Sequence, residues 1–356
     1  MDDATTTARR ARSDRKERLA YFDGAARYTR YLGTPAGDGL FLVKTADKDI
    51  GRSLFSKRGR GEMRVLARAV DAIEGLLGPC AIAKTGFVDV GANIGTTTVP
   101  ALLSHGFETA VAIEPEPENV RLLRLNLLLN DLEDRVTVLP LAASNAVGFS
   151  ELVVDPSRAG KHWIATDRSK LPRKHRGEGA LLNVETVTLD HLVATGVLDP
   201  ERTGLVWMDA QAHEGHILEG ASSLLGRGVP LVLEWHPGIL DRFGDRGKVE
   251  RAIAGDYTHF ATMHRNHNPS EPSFPLMPAD DLPAYAARFV DRSMTKTDIL
   301  VLRLAPEQAA GVVDLDAFLT QGSDDDEERD WGPGDRRLRR LGPRIRSRLT
   351  RRRSRP

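Results

Sequence analysis

The sequence predicts an α/β fold: a Rossmann-like, mostly parallel sheet with helices on both faces and one antiparallel closing strand. Three observations carry that expectation. Short apolar runs alternate with helical periodicity from Phe87 to Leu233, a glycine turn (Gly91–Gly95) follows directly on the first run, and the second run ends in an acidic residue, Glu114. Strands alternating with helices imply parallel β-α-β units, whose crossovers are nearly always right-handed.

Residues 1–35 are polar and rich in arginine and read as a loosely ordered lead-in. Leu40–Lys44 and Ile50–Leu54 read as short strands, and Glu62–Leu77 as an amphipathic helix, with Met63, Leu66, Ala67, Val70, Ile73 and Leu77 at helical spacing. The core then runs strand Phe87–Val90, a helix to Leu103, strand Ala110–Ile113, helix Pro117–Leu129 and strand Val136–Leu141. An insertion, residues 143–204, follows. It holds strand-like alternation at Phe149–Val154 and Val184–Leu189 around a basic loop, Arg168–Arg176. Leu205–Met208 and Leu231–Leu233 complete the parallel set, separated by a helical stretch over Glu214–Leu225. Past Pro237 the pattern weakens: Asn266–Pro283 reads as a loop and Ile299–Leu304 as the closing strand. The expected organisation is a domain over residues 36–305, with 36–85 its N-terminal strands and helix, and an extension over 306–356. That extension carries an acidic run, Asp324–Glu328, a Trp331-Gly332-Pro333-Gly334 breaker and an arginine-dense end from Arg336 to Arg355.

Bulk composition narrows the function classes. Lysines and arginines number 50 against 50 acidic residues, so the chain as a whole has no charge footprint for nucleic acid or membrane. The single Cys80 permits no internal disulfide. The N-terminus lacks an apolar signal core, and no window reaches the roughly 18 apolar residues of a membrane span. These features predict a cytoplasmic protein without an integral membrane segment.

The strongest local signal is Phe87-Val88-Asp89-Val90-Gly91-Ala92-Asn93-Ile94-Gly95-Thr96-Thr97. Gly91 and Gly95 would let backbone approach a ligand where a side chain would collide. A dinucleotide fingerprint wants G-x-G-x-x-G to present amides to a pyrophosphate, but Asn93 replaces its middle glycine and Thr96 its last. A nicotinamide dehydrogenase is therefore disfavoured. Glu114-Pro115 ends the second strand, where an acidic residue accepts hydrogen bonds from ribose hydroxyls. Two acidic strand ends beside a phosphate-poor turn fit a nucleoside with a cationic amino-acid tail: Glu114 on the ribose, Asp89 and the turn on the tail. An ordinary strand–turn–helix with an exposed glutamate is the bland alternative.

Six landmarks in order give the chain a resemblance to the FkbM-type methyltransferases, a branch of the class I S-adenosylmethionine enzymes. They are Val88–Gly95, Glu114-Pro115, Asn126-Leu127-Leu128-Leu129-Asn130, Val184–Asp190, Asp209–Ala221 and Glu234-Trp235-His236-Pro237. Ala212 stands where the family has glycine, and its methyl would narrow the substrate's approach. The resemblance implies S-adenosyl-L-methionine as cofactor, with Asp89, Gly91, Ala92, Asn93, Gly95, Glu114, Pro115, Ala142 and Asp209 around it. It also implies O-methylation of a small acceptor, a hydroxyl on a sugar or natural product.

Ligands of open α/β sheets bind beyond the carboxyl ends of the strands, which gathers Gly91, Glu114, Ala142, Asp209 and Glu234–His236 at one crevice. A hydroxyl is a weak nucleophile, so a base is expected. His236 is the expected proton acceptor, Asp209 the residue that positions substrate, and Glu234 the third candidate. Asp209 could instead cap the following helix, Glu234 could pair with a basic residue, and His213 and His216 read first as structural. Asp209 and Glu234 offer oxygen ligands to magnesium, but without a compact acidic motif no metal is predicted. The rivals are a nucleic-acid or protein methyltransferase and a catalytically silent binding module. A nucleic-acid acceptor is disfavoured, because Asp209-Ala210-Gln211-Ala212 replaces the N/D-P-P-aromatic motif of base-amino methylation. In the extension, Leu338, Leu341, Ile345 and Leu349 recur among arginines as on a helix lying on an anionic surface, against a solvated tail.

Overall fold

The computed structural model describes residues 2–155, 157–158, 160–164, 180–263, 275–291 and 296–309. The chain divides into two units, Met1–Val312 and Val313–Pro356. The basic loop 168–176, the acidic run, the arginine-dense tail and residues 266–274 lie outside the described residues; the rest of the stretch read as a loop, 275–283, instead carries a strand, Leu276–Pro278, and the start of a helix at Leu282.

The N-terminal region differs from expectation twice. Residues 1–35, read as a loose lead-in, hold α1 (Asp2–Ala25) and most of β1 (Tyr31–Ala36), which pairs antiparallel with β2 (Gly39–Lys44). The helix is polar along most of its length, which hid it. It is held by tertiary contacts: Phe22 is buried against Phe55, Arg52 forms a bidentate pair with Asp23, and the Arg18 guanidinium donates to Ser56 O. Ile50–Leu54, read as a strand, lies in α2 (Ile50–Lys57). Ile50 and Leu54 are buried one turn apart, and the Asp47 carboxylate accepts the amides of Asp49 and Gly51 at the helix start. A short apolar run cannot by itself distinguish period 2 from period 3.6. The next helix, α3 (Gly61–Leu77), follows the predicted stripe and buries Val65, Leu66, Ala69, Val70 and Ile73.

The parallel core follows in the predicted order: β3 (Gly86–Val90), α4 (Thr98–Ser104), β4 (Thr109–Ile113), α5 (Pro117–Leu128) and β5 (Val136–Leu139). Asn126 and Asn130, one turn apart on α5, use their side-chain amides as a substitute strand edge. Asn126 accepts from Leu42 N and Asn130 from Leu40 N, and Asn130 donates back to Leu40 O. Those bonds account for the two asparagines of the third landmark and tie β2 to the core.

The insertion builds a second sheet from β6 (Ala142–Ala143), β7 (Gly148–Val154), β8 (Trp163–Ile164) and β9 (Ala180–Val187), in the order β6-β9-β7-β8. After α6 (Leu189–Ala194) the chain returns to the core as β10 (Thr203–Met208). The predicted helix over 214–225 is broken into α7 (Glu214–Glu219) and α8 (Ser222–Arg227). The break lies at Gly220, where a Cβ would stand 2.7 Å from Ser144 O, and Asp190 accepts the Ser222 and Ser223 amides that open α8. Then come β11 (Leu231–Trp235), α9 (Pro237–Phe243), α10 (Arg246–Asp256), β12 (His259–Met263), β13 (Leu276–Pro278), α11 (Leu282–Asp291) and β14 (Thr297–Leu302).

The main sheet has eight strands in the order β13-β12-β14-β11-β10-β3-β4-β5. Strands β3, β4, β5, β10 and β11 are mutually parallel, while β14 enters antiparallel between β11 and β12 as the predicted closing strand. Strand order reverses on either side of β3, so the carboxyl ends of β3 and β10 form the topological switch point. One apolar core runs from Phe22, Phe41 and Leu54 through Phe87 and Phe107 to Trp207 and Leu300. Among the described residues no helix is long and apolar enough to cross a membrane.

Candidate active site

A cleft of about 560 Å³ opens at the switch point. Its floor comes from the ends of β3 (Val90, Gly91) and β4 (Ile113, Glu114, Pro115), and its far wall from Asp209–Glu214 and Glu234. Asn93, Thr96 and Thr97 of the glycine turn face it, as do Ala142, Ala143 and Trp163 of the small sheet and His236 ahead of α9. The volume suits an ordinary small-molecule site. Of the sequence-predicted residues, Gly91, Asn93, Glu114, Pro115, Ala142, Asp209, Glu234 and His236 line it. Asp89, Ala92 and Gly95 lie behind it.

The turn is fully committed to its own structure. Gly91 N and Ala92 N both donate to Ile113 O, and Gly95 N donates to Ala92 O. Asn93 N donates to Glu114 Oε2 at 2.9 Å, and Ile94 N to Asn93 Oδ1 at 2.9 Å. No amide of residues 91–95 remains for a pyrophosphate, which removes the chemistry a dinucleotide fold relies on.

The glycines are needed for a different reason from the one expected. At φ +84° a Cβ on Gly91 would stand 2.2 Å from Asp209 O, and at φ +91° one on Gly95 would stand 2.9 Å from Leu123 Cδ1. Close packing of β3 against the chain after β10, and of the turn against α5, requires them. Ala212 follows the same logic. It holds φ +71°, next to Gln211 at φ +52°. The glycine that the family has here suits a left-handed backbone, which for alanine costs about 1–2 kcal/mol.

Asp89 is fully buried in β3, where Oδ2 accepts from Thr97 Oγ1 (2.6 Å) and Thr98 Oγ1 (2.5 Å) and Oδ1 has no hydrogen-bond partner among the described residues. Burial raises its pKa to about 6 despite those hydroxyls. Glu114, also buried, accepts from Asn93 N, Glu116 N and Asn119 Nδ2, and burial still raises it to about 7. Glu214 was not singled out from sequence. Its Oε1 accepts from Ala210 N (3.0 Å) and Ala212 N (3.3 Å), clamping the left-handed turn, while Oε2 is buried without a partner among the described residues. Burial first, then the charges of Glu234 and Asp209, lift it to about 8. Glu214 falls within the Asp209–Ala221 landmark, which was the signal available for it.

Asp209 does not cap α7; its Oδ1 accepts from Gln211 Nε2 at 2.9 Å. Glu234 is ion-paired with Lys296, as the bland reading allowed. His236 departs from expectation in two ways. Its Nδ1 accepts from Ile239 N at 3.3 Å, capping α9. Burial, followed by the charge of Lys296, lowers its pKa to about 4, well below an ordinary imidazole and against its expected role as proton acceptor. An Nδ1 that accepts leaves the proton of the neutral ring on Nε2. Trp163 is buried over the cleft and stacks on Phe243 at 5.8 Å, a feature its place in the insertion gave no means of finding.

The mostly parallel α/β sheet, with its cleft at the switch point, is the fold class of a methyltransferase domain. The Methyltransferase FkbM domain matches residues 89–274, and the chain belongs to that family. Solved structures that it resembles include the methyltransferase FkbM of Methylobacillus flagellatus KT, at 16% identity and TM-score 0.36, over 61% of this chain and 43% of that one. P. horikoshii TYW2, solved with MeSAdo, matches at 13% identity and TM-score 0.37, over 77% and 72% of the two chains. The B. subtilis M1A22 tRNA methyltransferase TrmK matches at 12% identity and TM-score 0.35, over 72% and 75%. This chain thus spans less than half of the M. flagellatus protein. No curated protein gives a significant match.

Proposed function

We propose that this protein transfers a methyl group from S-adenosyl-L-methionine to a hydroxyl of a small acceptor such as a sugar or natural product. The observation that carries the reading is the cleft floor: its turn amides are spent, and Glu114, Asp209, Glu214 and Glu234 line the walls. A turn without free amides offers no cradle for a pyrophosphate, while carboxyl oxygens at the strand ends can accept from ribose hydroxyls and from an amino-acid ammonium group. Glu114 at the end of β4 would accept the ribose hydroxyls. Asp89 would act from behind, through the Thr97 and Thr98 hydroxyls that donate to its Oδ2, to hold the turn against the cationic tail. The chemistry that the cofactor supplies is an electrophilic methyl group on a good leaving group.

The protein's own contribution is chiefly alignment, worth roughly 7–11 kcal/mol when reacting atoms are well oriented. Trp163 and His236 flank the acceptor side. With Nδ1 engaged by Ile239, His236 would donate from Nε2 to the acceptor oxygen and fix its direction, while Asp209 would accept a hydrogen bond from the acceptor hydroxyl; the O–C bond forms as the S–C bond of the cofactor breaks, and the proton of the resulting oxonium then passes to water. Glu234, paired with Lys296, would set the field around both. This arrangement replaces the expected role of His236 as base, since a group with a pKa near 4 is a poor proton acceptor at neutral pH.

The test incubates the full chain with S-adenosylmethionine and a panel of glycosides, hydroxylated natural products, tRNA and protein. TrmK is named as a tRNA methyltransferase, so nucleic acid belongs in the panel. Methyl transfer to a hydroxyl of a small acceptor supports the reading. Transfer confined to tRNA or protein, or none despite cofactor binding, overturns the acceptor class.

A further inference from the structure

A second polar cluster starts in the Asp209–Glu214 wall, at His213, and runs back from the cleft to α10; it has no part in the scheme above. It joins His213, which precedes α7, His216 in the first turn of α7, and Asp245, which precedes α10. One ligand atom from each residue lies within 4.8 Å of the others. The two imidazoles stack at 4.6 Å with 7° between their planes, so one ring has to rotate for both in-plane lone pairs to meet a single ion. Asp245 is fully buried, and His213 nearly so. His216 Nδ1 sits 2.7 Å from Asp245 Oδ1 and 2.8 Å from Oδ2. Oδ2 takes the hydrogen bond, and Oδ1 is left buried without one. A single ring N–H cannot satisfy both oxygens, and the Lys248 ammonium, 3.7 Å from Oδ1, is an ion-pair partner beyond hydrogen-bond reach.

The surroundings are arranged around these three side chains. At Gly215, between the histidines, a Cβ would stand 2.7 Å from Asp245 O, so only glycine lets α7 close on Asp245. His213 Nε2 lies 3.0 Å from Ser144 Oγ. If Nε2 donates there, the tautomer is fixed with the Nδ1 lone pair available, the usual outer-shell arrangement of a ligating histidine. Lys248 Nζ approaches Asp245 Oδ1 at 3.7 Å and moderates its charge from the α10 side. The His216 side chain is 20% exposed, which gives an ion a way in.

We propose that His213, His216 and Asp245 bind one divalent d-block cation of the zinc class. Two imidazoles and a carboxylate are borderline donors that suit zinc and its neighbours better than magnesium or calcium. The ion would pin α7 to the start of α10 and so stiffen the wall that carries Asp209 and Glu214. Its role is structural, and the proposal stands whether or not the acceptor class above is right.

The experiment uses the tag-free full chain, stripped with chelator and titrated with zinc chloride by calorimetry and with cobalt(II) by visible spectroscopy. The expected result is one saturable equivalent, a rise in Tm, and an intense four-coordinate cobalt spectrum. Both His216→Ala and Asp245→Asn lose that uptake, and Ser144→Ala weakens it about ten- to a hundredfold. Equal uptake by wild type and a His213→Ala/His216→Ala double variant overturns the site. So does a wild type that shows no saturable uptake or only the weak spectrum of hydrated cobalt, a readout that needs no variant to fold.

Discussion

Replacing Glu214 with alanine strips two amides, Ala210 N and Ala212 N, of the acceptor each has among the described residues, in a turn held at two successive left-handed residues. Ala212 is buried and Ala210 half-buried, so water restores little. An amide left unsatisfied costs about 1–3 kcal/mol, and two of them put Glu214→Ala at about 2–4 kcal/mol once relaxation is allowed. For a unit of this size that is on the order of 5–10 °C in Tm. The isosteric Glu214→Gln keeps the acceptor oxygen and should lose less than about 1 kcal/mol, because the native carboxyl is largely protonated at neutral pH. The two also differ in pH response. Burial raises the Glu214 pKa to about 8, so the bound proton stabilises the fold at low pH, and that stability is lost as pH rises through 8. The wild type should therefore lose up to about 1.4 kcal/mol per pH unit between its unfolded value and 8 from this group, and the glutamine variant should lack that component. Denaturant melts of the three proteins at pH 5, 7 and 8.5 measure both effects. Equal stability of the alanine and glutamine variants at pH 7 would refute the clamp.

Three further outcomes follow from the same geometry. Ala212→Gly relieves a φ of +71° and should leave stability unchanged or raise it by up to about 1 kcal/mol, against the usual loss for introduced glycine; a thermal melt decides. In steady-state assays, His236→Ala should lower kcat by less than the roughly 10²-fold minimum of general base catalysis, without a new pH limb near 6.5, because the residue donates and caps. Cofactor affinity should rise with pH up to about 7, as Glu114 ionises from its raised value, and calorimetry at pH 5.5 and 8 should differ by up to about tenfold per unit below 7.

Most of the main sheet was legible because buried parallel strands are short, wholly apolar runs bounded by turns: Phe87–Val90, Ala110–Ile113, Leu205–Met208 and Leu231–Leu233 each fall inside an observed strand. The failures share a cause. For α1 the folding signal is a few tertiary contacts around Phe22, and for α2 it is an Asp47 cap ahead of two residues one turn apart, neither visible as periodicity. His259–Met263, now β12, carries His259 and Thr262, two polar residues that masked a strand one place in from the sheet edge. Eight predicted site residues line the cleft because strand ends at a switch point converge by topology. The burial of Asp89, the cap made by His236 and the clamp made by Glu214 depend on neighbours remote in sequence, and no spacing rule reports them.

The central claim is that an acidic, amide-poor switch-point cleft binds S-adenosylmethionine through Glu114. The most direct measurement is isothermal calorimetry of S-adenosylmethionine, and separately of NADH, against the wild type and Glu114→Ala at pH 8, with circular dichroism to establish folding. Loss of a hydrogen bond to a charged group costs roughly 1.5–3 kcal/mol. The prediction is saturable binding of S-adenosylmethionine, no binding of NADH, and a fall in affinity of one to two decades in the folded variant. Binding of NADH by the wild type, or unchanged S-adenosylmethionine affinity in a folded Glu114→Ala protein, would contradict it.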